Sequence, residues 1–226
     1  MKKIRTMIVI ICLIIINGLP VIAKENIDKE NSQCMELDSL IGINLESQQA
    51  ETERLEKIGE VASKKRATKV LSNFKNLQQG DSAWKNEIMQ TCGRTIGNAG
   101  CCLTSFTMIQ RYYGGTDNPK QVNAKLGSAA CPFQYATAAS KYSYTYNYVT
   151  NNLTLSNPTN YIKGAIDSGN PVLVGMEYLG GTHFVAAYGY DGNNIIISDP
   201  ASKNYQFLYQ YLNSGYTVYR LCTYFK

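Results

Sequence analysis

Residues 97–113 read GNAGCCLTSFTMIQRYY, and the character of this stretch changes at its fifth residue. The first four residues include two glycines, which give the chain a flexible approach. From Cys101 onward, apolar residues recur every three or four positions, which is typical of one face of a helix. These residues are Cys102, Phe106, Ile109 and Tyr113, and Gly114-Gly115 ends the pattern. The stretch therefore predicts a helix that begins at Cys101.

A thiol at the start of a helix is well placed for chemistry. Free backbone N–H groups and the helix dipole at that end stabilise a thiolate. Cys101 is therefore a candidate nucleophile, whereas Cys102 falls on the apolar stripe and is assigned to packing. The alternative is that both cysteines are small buried residues. This stretch alone leaves both interpretations open.

The rest of the chain predicts helices first and strands last. Helices are predicted from Pro119 to about Leu126 and from about Thr159 to Asp167. Strands are predicted at Val172–Tyr178, His183–Tyr190 and Asn194–Ser198, with a hairpin turn at Asp191-Gly192. The tyrosine-rich stretch from Tyr135 to Tyr148 is compatible with a strand or an exposed loop. The pattern indicates an α+β fold with a C-terminal antiparallel sheet.

The single histidine, His183, follows two glycines that would let a substrate backbone approach. A hairpin from His183 to Asp199 brings its two ends to the same sheet edge. Because side chains alternate along strands, the two residues share a face only with an odd-numbered loop or a bulge. We predict that the hairpin has one of these two features, so that Asp199 lies beside His183 and orients it as a general base.

A glutamine near the start of the main domain is the candidate for transition-state stabilisation. Acyl transfer by a cysteine develops an oxyanion that needs preorganised N–H donors. Gln79 can supply its side-chain amide beside the backbone N–H of Cys101. Gln78 is an alternative donor, and either glutamine can be an ordinary loop residue.

The N-terminal residues are typical of a signal peptide. Basic residues precede an apolar run from Met7 to Ile16, and Val21-Ile22-Ala23 offers a small-residue cleavage site. We assign residues 1–23 to a signal peptide and expect a secreted or cell-surface bacterial protein. The run is shorter than the roughly 20 apolar residues of a spanning helix, so we expect no stable membrane span after its removal.

Residues 24–70 carry dense charge and no aromatic residue, so they cannot build a core of their own. A helix over Leu45–Ala67, laid on the following domain, is predicted, although Gly59 weakens it. The segment is either a propeptide that keeps a hydrolase inactive or a flexible spacer. The main domain is expected at residues 71–226.

Cysteine usage and charge limit the kinds of ligand. The cysteines after the leader are Cys34, Cys92, Cys101, Cys102, Cys131 and Cys222. An oxidising exterior would allow disulfides, and the pairing among Cys92, Cys131 and Cys222 stays open. With one histidine and no CxxC pair, we expect neither a metal nor another cofactor. A formal net charge of +5 does not favour a nucleic-acid partner.

Several motifs occur in a fixed order along the chain: Gln79-Gly80-Asp81, Thr95-Ile96-Gly97, Gly100-Cys101, Gly169-Asn170-Pro171, His183-Phe184-Val185 and Asp199-Pro200. In this order, over residues 74–224, the chain resembles the double-glycine-leader (bacteriocin-processing) peptidase-like cysteine peptidases. The resemblance implies a papain-like fold. It implies Cys101 as nucleophile and His183 as base. It also implies Asp199 as the orienting acid and Gln79 as an oxyanion-hole donor.

The chain departs from the usual pattern in two respects. Relatives often have Gly-Cys-Gly-Pro-Thr, where this chain has Gly100-Cys101-Cys102-Leu103-Thr104. The Gly-rich ATP-binding loop and second spanning run of the family's exporters are not found, so leader processing inside an exporter is not the expected role.

The sequence therefore predicts a secreted thiol hydrolase that acts on a peptide or protein, with cell-wall amides as a variant substrate. One alternative is a non-catalytic module on the same fold, whose tyrosines contact peptide or saccharide. Another is a small secreted effector stabilised by disulfides, in which Cys101 or Cys102 would be bonded.

Overall fold

The helices and strands follow the order that the sequence predicts for its second half. The computed structural model describes residues 45–64, 67–150 and 157–226, so the predicted leader and Cys34 lie outside the described residues. The helices are α1 (Leu45–Lys64), α2 (Ile96–Ala99), α3 (Cys101–Tyr112), α4 (Pro119–Leu126), α5 (Tyr135–Tyr142), α6 (Pro158–Asp167) and α7 (Leu208–Asn213). In the described ranges, no helix is long and apolar enough to cross a membrane.

The strands are β1 (Thr68–Val70), β2 (Ile88–Met89), β3 (Arg94–Thr95), β4 (Thr145–Thr150), β5 (Val172–Tyr178), β6 (Gly181–Asp191), β7 (Asn194–Ser198) and β8 (Thr217–Phe225). An antiparallel sheet runs in the order β1-β6-β5-β8-β4, and β7 pairs with β6. Strands β2 and β3 form a separate hairpin. The predicted α+β class with an antiparallel sheet is confirmed, as are the helix that begins at Cys101 and the three predicted strands.

The two faces of the sheet pack against different helices. On one face, Val174 lies opposite Val185 and Leu221, and all three belong to a buried cluster with residues of α1 and α6. On the other face, Phe106 of α3 packs its ring 5.0 Å from that of Tyr224. Because side chains alternate along a strand, each face buries its own set of apolar residues. Helix α3 is thereby fixed on the face opposite α1.

Helix α1 is joined to the rest of the fold by a close helix–helix contact. A β-carbon at Gly59 would lie 1.8 Å from the backbone oxygen of Asn160, and one at Gly164 would lie 1.7 Å from that of Leu55. Only glycine allows two helix backbones to approach this closely. Leu55 itself is fully buried in the core. Gly59, which lowers helix propensity, is therefore needed where the helix docks.

The sequence pattern predicts a strand or an exposed loop from Tyr135 to Tyr148, and for the first half of this stretch the prediction is wrong. Residues Tyr135–Tyr142 form helix α5, which ends where Ser143 adopts a left-handed conformation (φ 57°). Alanines on this helix are buried, and alanine has the highest helix propensity. The alternation of polar and aromatic residues marks a strand only from Thr145 onward, in β4.

The structure answers the open question of disulfide pairing. Cys92 and Cys131 are bonded, with their Cα atoms 5.7 Å apart, whereas Cys222 is a buried free thiol. Cys101 and Cys102 are also free. The bond ties the loop before β3, which leads to Cys101, to the segment that precedes α5. The alternative in which a disulfide engages Cys101 or Cys102 is thus wrong in this structure.

The docking of α1 can be tested by a pair of substitutions on that helix. Leu55→Ala should lower the free energy of unfolding by about 2 to 5 kcal/mol, because it removes a fully buried side chain. Val61→Ala, at a position that is 53% exposed, should change it by no more than about 0.5 kcal/mol. Urea denaturation followed by circular dichroism measures both. Equal, small effects would show that α1 does not pack in the core.

Candidate active site

The thiol of Cys101 stands at the N-terminus of α3, where the sequence predicts it. Gly100 precedes the helix, and a β-carbon there would lie 2.5 Å from the backbone oxygen of Ile96. A larger residue at position 100 would therefore displace the loop that leads to Cys101. Cys101 is partly exposed, whereas Cys102 is only 8% exposed, which agrees with its assignment to packing.

The loop that leads to Cys101 is held by backbone hydrogen bonds. The N–H of Ile96 donates to the carbonyl of Glu87 at 2.9 Å, and the N–H of Gly97 donates to that of Lys85 at 2.8 Å. The hydroxyl of Thr95 accepts from the N–H of Asn98 and so caps α2. These contacts fix the position of the helix start, and with it the position of the thiol.

His183 and Asp199 meet through the register that the sequence predicts. Near the turn, Gly189 pairs with Ile196, but Ala187 pairs with Ile197, so Tyr188 is the extra residue of a β-bulge. Because of this one extra residue, the side chains of His183 and Asp199 lie on the same face of the sheet. A hydrogen bond of 2.9 Å joins Nε2 of His183 to Oδ1 of Asp199.

The charges around His183 favour its protonated form. Burial of the imidazole opposes protonation, but hydrogen bonds to Asp199 and Cys101, with the negative charges of both, raise the pKa of His183 to about 9. Because Nε2 of His183 is hydrogen-bonded to Asp199, Nδ1 is the ring nitrogen that can interact with the Cys101 thiol. The site thus brings together a thiol, an imidazole and a carboxylate, with the imidazole between the other two groups.

The two candidate glutamines occupy different places. Gln79 is 9% exposed, and its Nε2 donates to the carbonyl of Gly97 at 2.8 Å, in the loop before Cys101. Gln78 instead donates from Nε2 to the backbone carbonyl of Asp199 at 2.8 Å. Gln79 therefore lies beside the loop that leads to Cys101 and has a second amide N–H left to donate. Gln78 instead contacts the backbone at Asp199.

Comparison with known proteins identifies the family of this chain. The model of the Peptidase_C39 like family matches residues 71–221, more than half of the chain. The chain belongs to this C39-like peptidase family. The resemblance inferred from the ordered motifs is thereby confirmed, and with it a cysteine peptidase type of fold.

One solved structure is similar to this C39-like chain. It is the crystal structure of a Bacillus anthracis protein described as a C39-like peptidase, which is 13% identical in sequence. The match covers 71% of this chain and 98% of that one, with a TM-score of 0.47. No curated protein sequence matches the chain.

Tyr211 is a residue of this C39-like site that the sequence does not reveal. Its hydroxyl donates to Oδ2 of Asp199, and its ring lies 5.3 Å from that of His183. The side chain of Asp199 has no exposed surface, so its charge depends on such donors. Burial would raise the pKa of Asp199, but hydrogen bonds from His183 and Tyr211 lower it below its ordinary value. Tyr211 is one of 17 tyrosines, and no local motif distinguishes it.

The single histidine makes the electrostatics of the site directly measurable by NMR. We expect the His183 ring protons to titrate with a midpoint of about 9. In Asp199→Asn the midpoint should fall toward the ordinary value of about 6.5, because the imidazolium loses its carboxylate partner. Asp191→Asn, at the tip of the same hairpin, should leave it unchanged. A wild-type midpoint at or below about 6.5 would contradict this geometry.

Proposed function

We propose that this C39-like chain is a secreted thiol hydrolase that cleaves a peptide bond through an acyl-enzyme on Cys101. The observation that carries the proposal is the arrangement of His183, which interacts with the Cys101 thiol and is hydrogen-bonded to Asp199. A histidine whose pKa is about 9 is protonated at neutral pH, and an imidazolium beside a thiol favours the thiolate form of that thiol. The thiolate is then ready to attack a carbonyl carbon.

The mechanism follows from the positions of these groups. The Cys101 thiolate adds to the scissile carbonyl, and the oxyanion is held by the backbone N–H of Cys101 and the amide of Gln79. The imidazolium of His183 gives its proton to the leaving amine, which departs. A water molecule, deprotonated by His183, then attacks the thioester and releases the acid and the free thiol. Asp199 keeps the imidazole oriented and stabilises its positive charge.

Export and substrate class form part of the same proposal. The basic and apolar start of the chain supports a cleaved signal peptide. The Cys92–Cys131 disulfide also supports export, because structural disulfides persist mainly in oxidising compartments. The substrate is a peptide or protein, with cell-wall amides as a variant that uses the same machinery.

The proposal is tested by cleavage of a synthetic peptide pool with protein that lacks only its predicted leader. Products identified by mass spectrometry should appear with the wild type and be absent with Cys101→Ala. In the same assay Gln79→Ala should lower kcat by about 100-fold, the typical effect of removing one oxyanion donor. Gln78→Ala should have a clearly smaller effect, because Gln78 contacts the Asp199 loop instead.

Two outcomes would contradict this function. Cleavage that persists in Cys101→Ala would show that another group, or a contaminant, performs the reaction. No cleavage by the wild type, with retained binding of peptides or saccharides to the folded protein, would favour the non-catalytic module instead. Circular dichroism of each variant shows whether the fold is kept.

A further inference from the structure

Arg220 is a cation of β8 that the proposed mechanism does not use. It pairs with Gly175 on β5, which in turn pairs with Phe184, the residue after His183. A β-carbon at Gly175 would lie 2.7 Å from the Phe184 ring and 3.1 Å from the β-carbon of Arg220. The absence of a side chain at Gly175 therefore makes room for both neighbours on the α3 side of the sheet.

The guanidinium of Arg220 lies among tyrosine rings. Its central carbon is 5.4 Å from the ring centres of Tyr135 and Tyr148 and 5.0 Å from that of Tyr219. Its Nη1 donates to the hydroxyl of Tyr135 at 3.2 Å. We call this group of four residues the arginine cage. The faces of aromatic rings attract a cation, so the three tyrosine rings hold the guanidinium in place.

The arginine cage contains no negative partner. Within the described part of the chain, no carboxylate lies within 4.0 Å of Arg220, and its Nε is buried without an acceptor. Nη2 also makes no hydrogen bond there and is not among the fully buried atoms. A partly buried cation without an anion is costly, and cation–π contacts offset only part of that cost. The cage thus has an unused donor that an external anion can reach.

The arginine cage contacts the residues that follow the candidate nucleophile and the candidate base. The hydroxyl of Tyr135, which accepts from Arg220, is 3.9 Å from the sulfur of Cys102, the residue after Cys101. On the other side, the ring of Tyr219 is 6.1 Å from that of Phe184, next to His183. Through these two tyrosines the cage is joined to the residue after Cys101 and to the residue after His183, so the flanking parts of a peptide bound at the site can lie near the guanidinium.

We propose that Arg220 binds a carboxylate of the substrate, so that the enzyme prefers peptides with a carboxylate close to the scissile bond. The inference rests on the proposed function. A guanidinium is the side chain best suited to a carboxylate, because it offers parallel N–H donors in a fixed plane. The carboxylate belongs either to the C-terminus of a short peptide or to an acidic side chain.

Matched pairs of haloacetyl reagents test this inference. The Cys101 sulfur displaces iodide from each reagent, so an S–C bond forms and the C–I bond breaks. N-iodoacetylglycine carries a terminal carboxylate, and N-iodoacetylglycinamide is its neutral match. The α-amide of N-iodoacetylaspartic acid carries a side-chain carboxylate, and the corresponding asparagine compound is its neutral match. The rate constant for labelling Cys101 is measured for each by peptide mass spectrometry.

For each pair, the carboxylate preference is the rate constant of the carboxylate reagent divided by that of its neutral match. We expect this preference, for at least one pair, to be about fivefold greater in the wild type than in Arg220→Gln. Arg220→Lys should retain part of the preference, because it keeps the charge without the fork geometry. Preference for the glycine reagent identifies a terminal carboxylate, and preference for the aspartate reagent identifies an acidic side chain. Raising the salt concentration should weaken the wild-type preference, which tests the charge without any substitution.

An unchanged carboxylate preference in a folded Arg220→Gln would overturn the proposal. So would an equal slowing of charged and neutral reagents, since Arg220 would then act on the thiol or the fold. A wild-type preference that is absent, or that rises with salt, would overturn it without reference to any variant. Failure of the proposed function looks different, because the neutral reagents would then label Cys101 equally fast in the wild type and in His183→Ala.

Discussion

The hydrogen bond between His183 and Asp199 depends on a single extra residue, Tyr188, in strand β6. Without that bulge the pairing from the turn would continue unchanged, and the two side chains would face opposite sides of the sheet. The imidazole would then lose the carboxylate that raises its pKa. The protonation of His183 therefore depends on the register of one hairpin.

The other half of the site comes from a helix more than 80 residues earlier, and the core holds the two halves together. The hydroxyl of Ser105 donates to the carbonyl of Phe184, next to His183, at 3.2 Å. Met108 accepts at its sulfur from the hydroxyl of Ser198, next to Asp199, at 3.0 Å. Helix α3 thus contacts the residue beside each of the two partners, and this contact sets Cys101 against His183. On the opposite face of the sheet, α1 completes the core through Leu55, away from these contacts.

Local patterns sufficed to predict the parts of the site that have a local signature. The glycines and the apolar stripe predict the helix start at Cys101. The alternation of side chains shows that His183 and Asp199 can pair only with an odd-numbered loop or a bulge, and the bulge is present. Tyr211 and Arg220 are absent from that prediction, because their roles come from contacts between distant segments that no spacing reveals. Helix α5 was missed for a related reason. Its tyrosines resemble a strand pattern, and the burial of its alanines appears only after the chain has folded.

If His183 activates Cys101, the reactivity of the Cys101 sulfur toward a small alkylating reagent depends on the imidazole. The protein without its leader is treated with limiting iodoacetamide near pH 6, and labelled peptides are mapped by mass spectrometry. An ordinary thiol, with a pKa of about 8.5, reacts slowly at that pH. We expect fast labelling confined to Cys101, at least tenfold slower in His183→Ala. Slow or indiscriminate labelling that is the same in both proteins would contradict the catalytic pair.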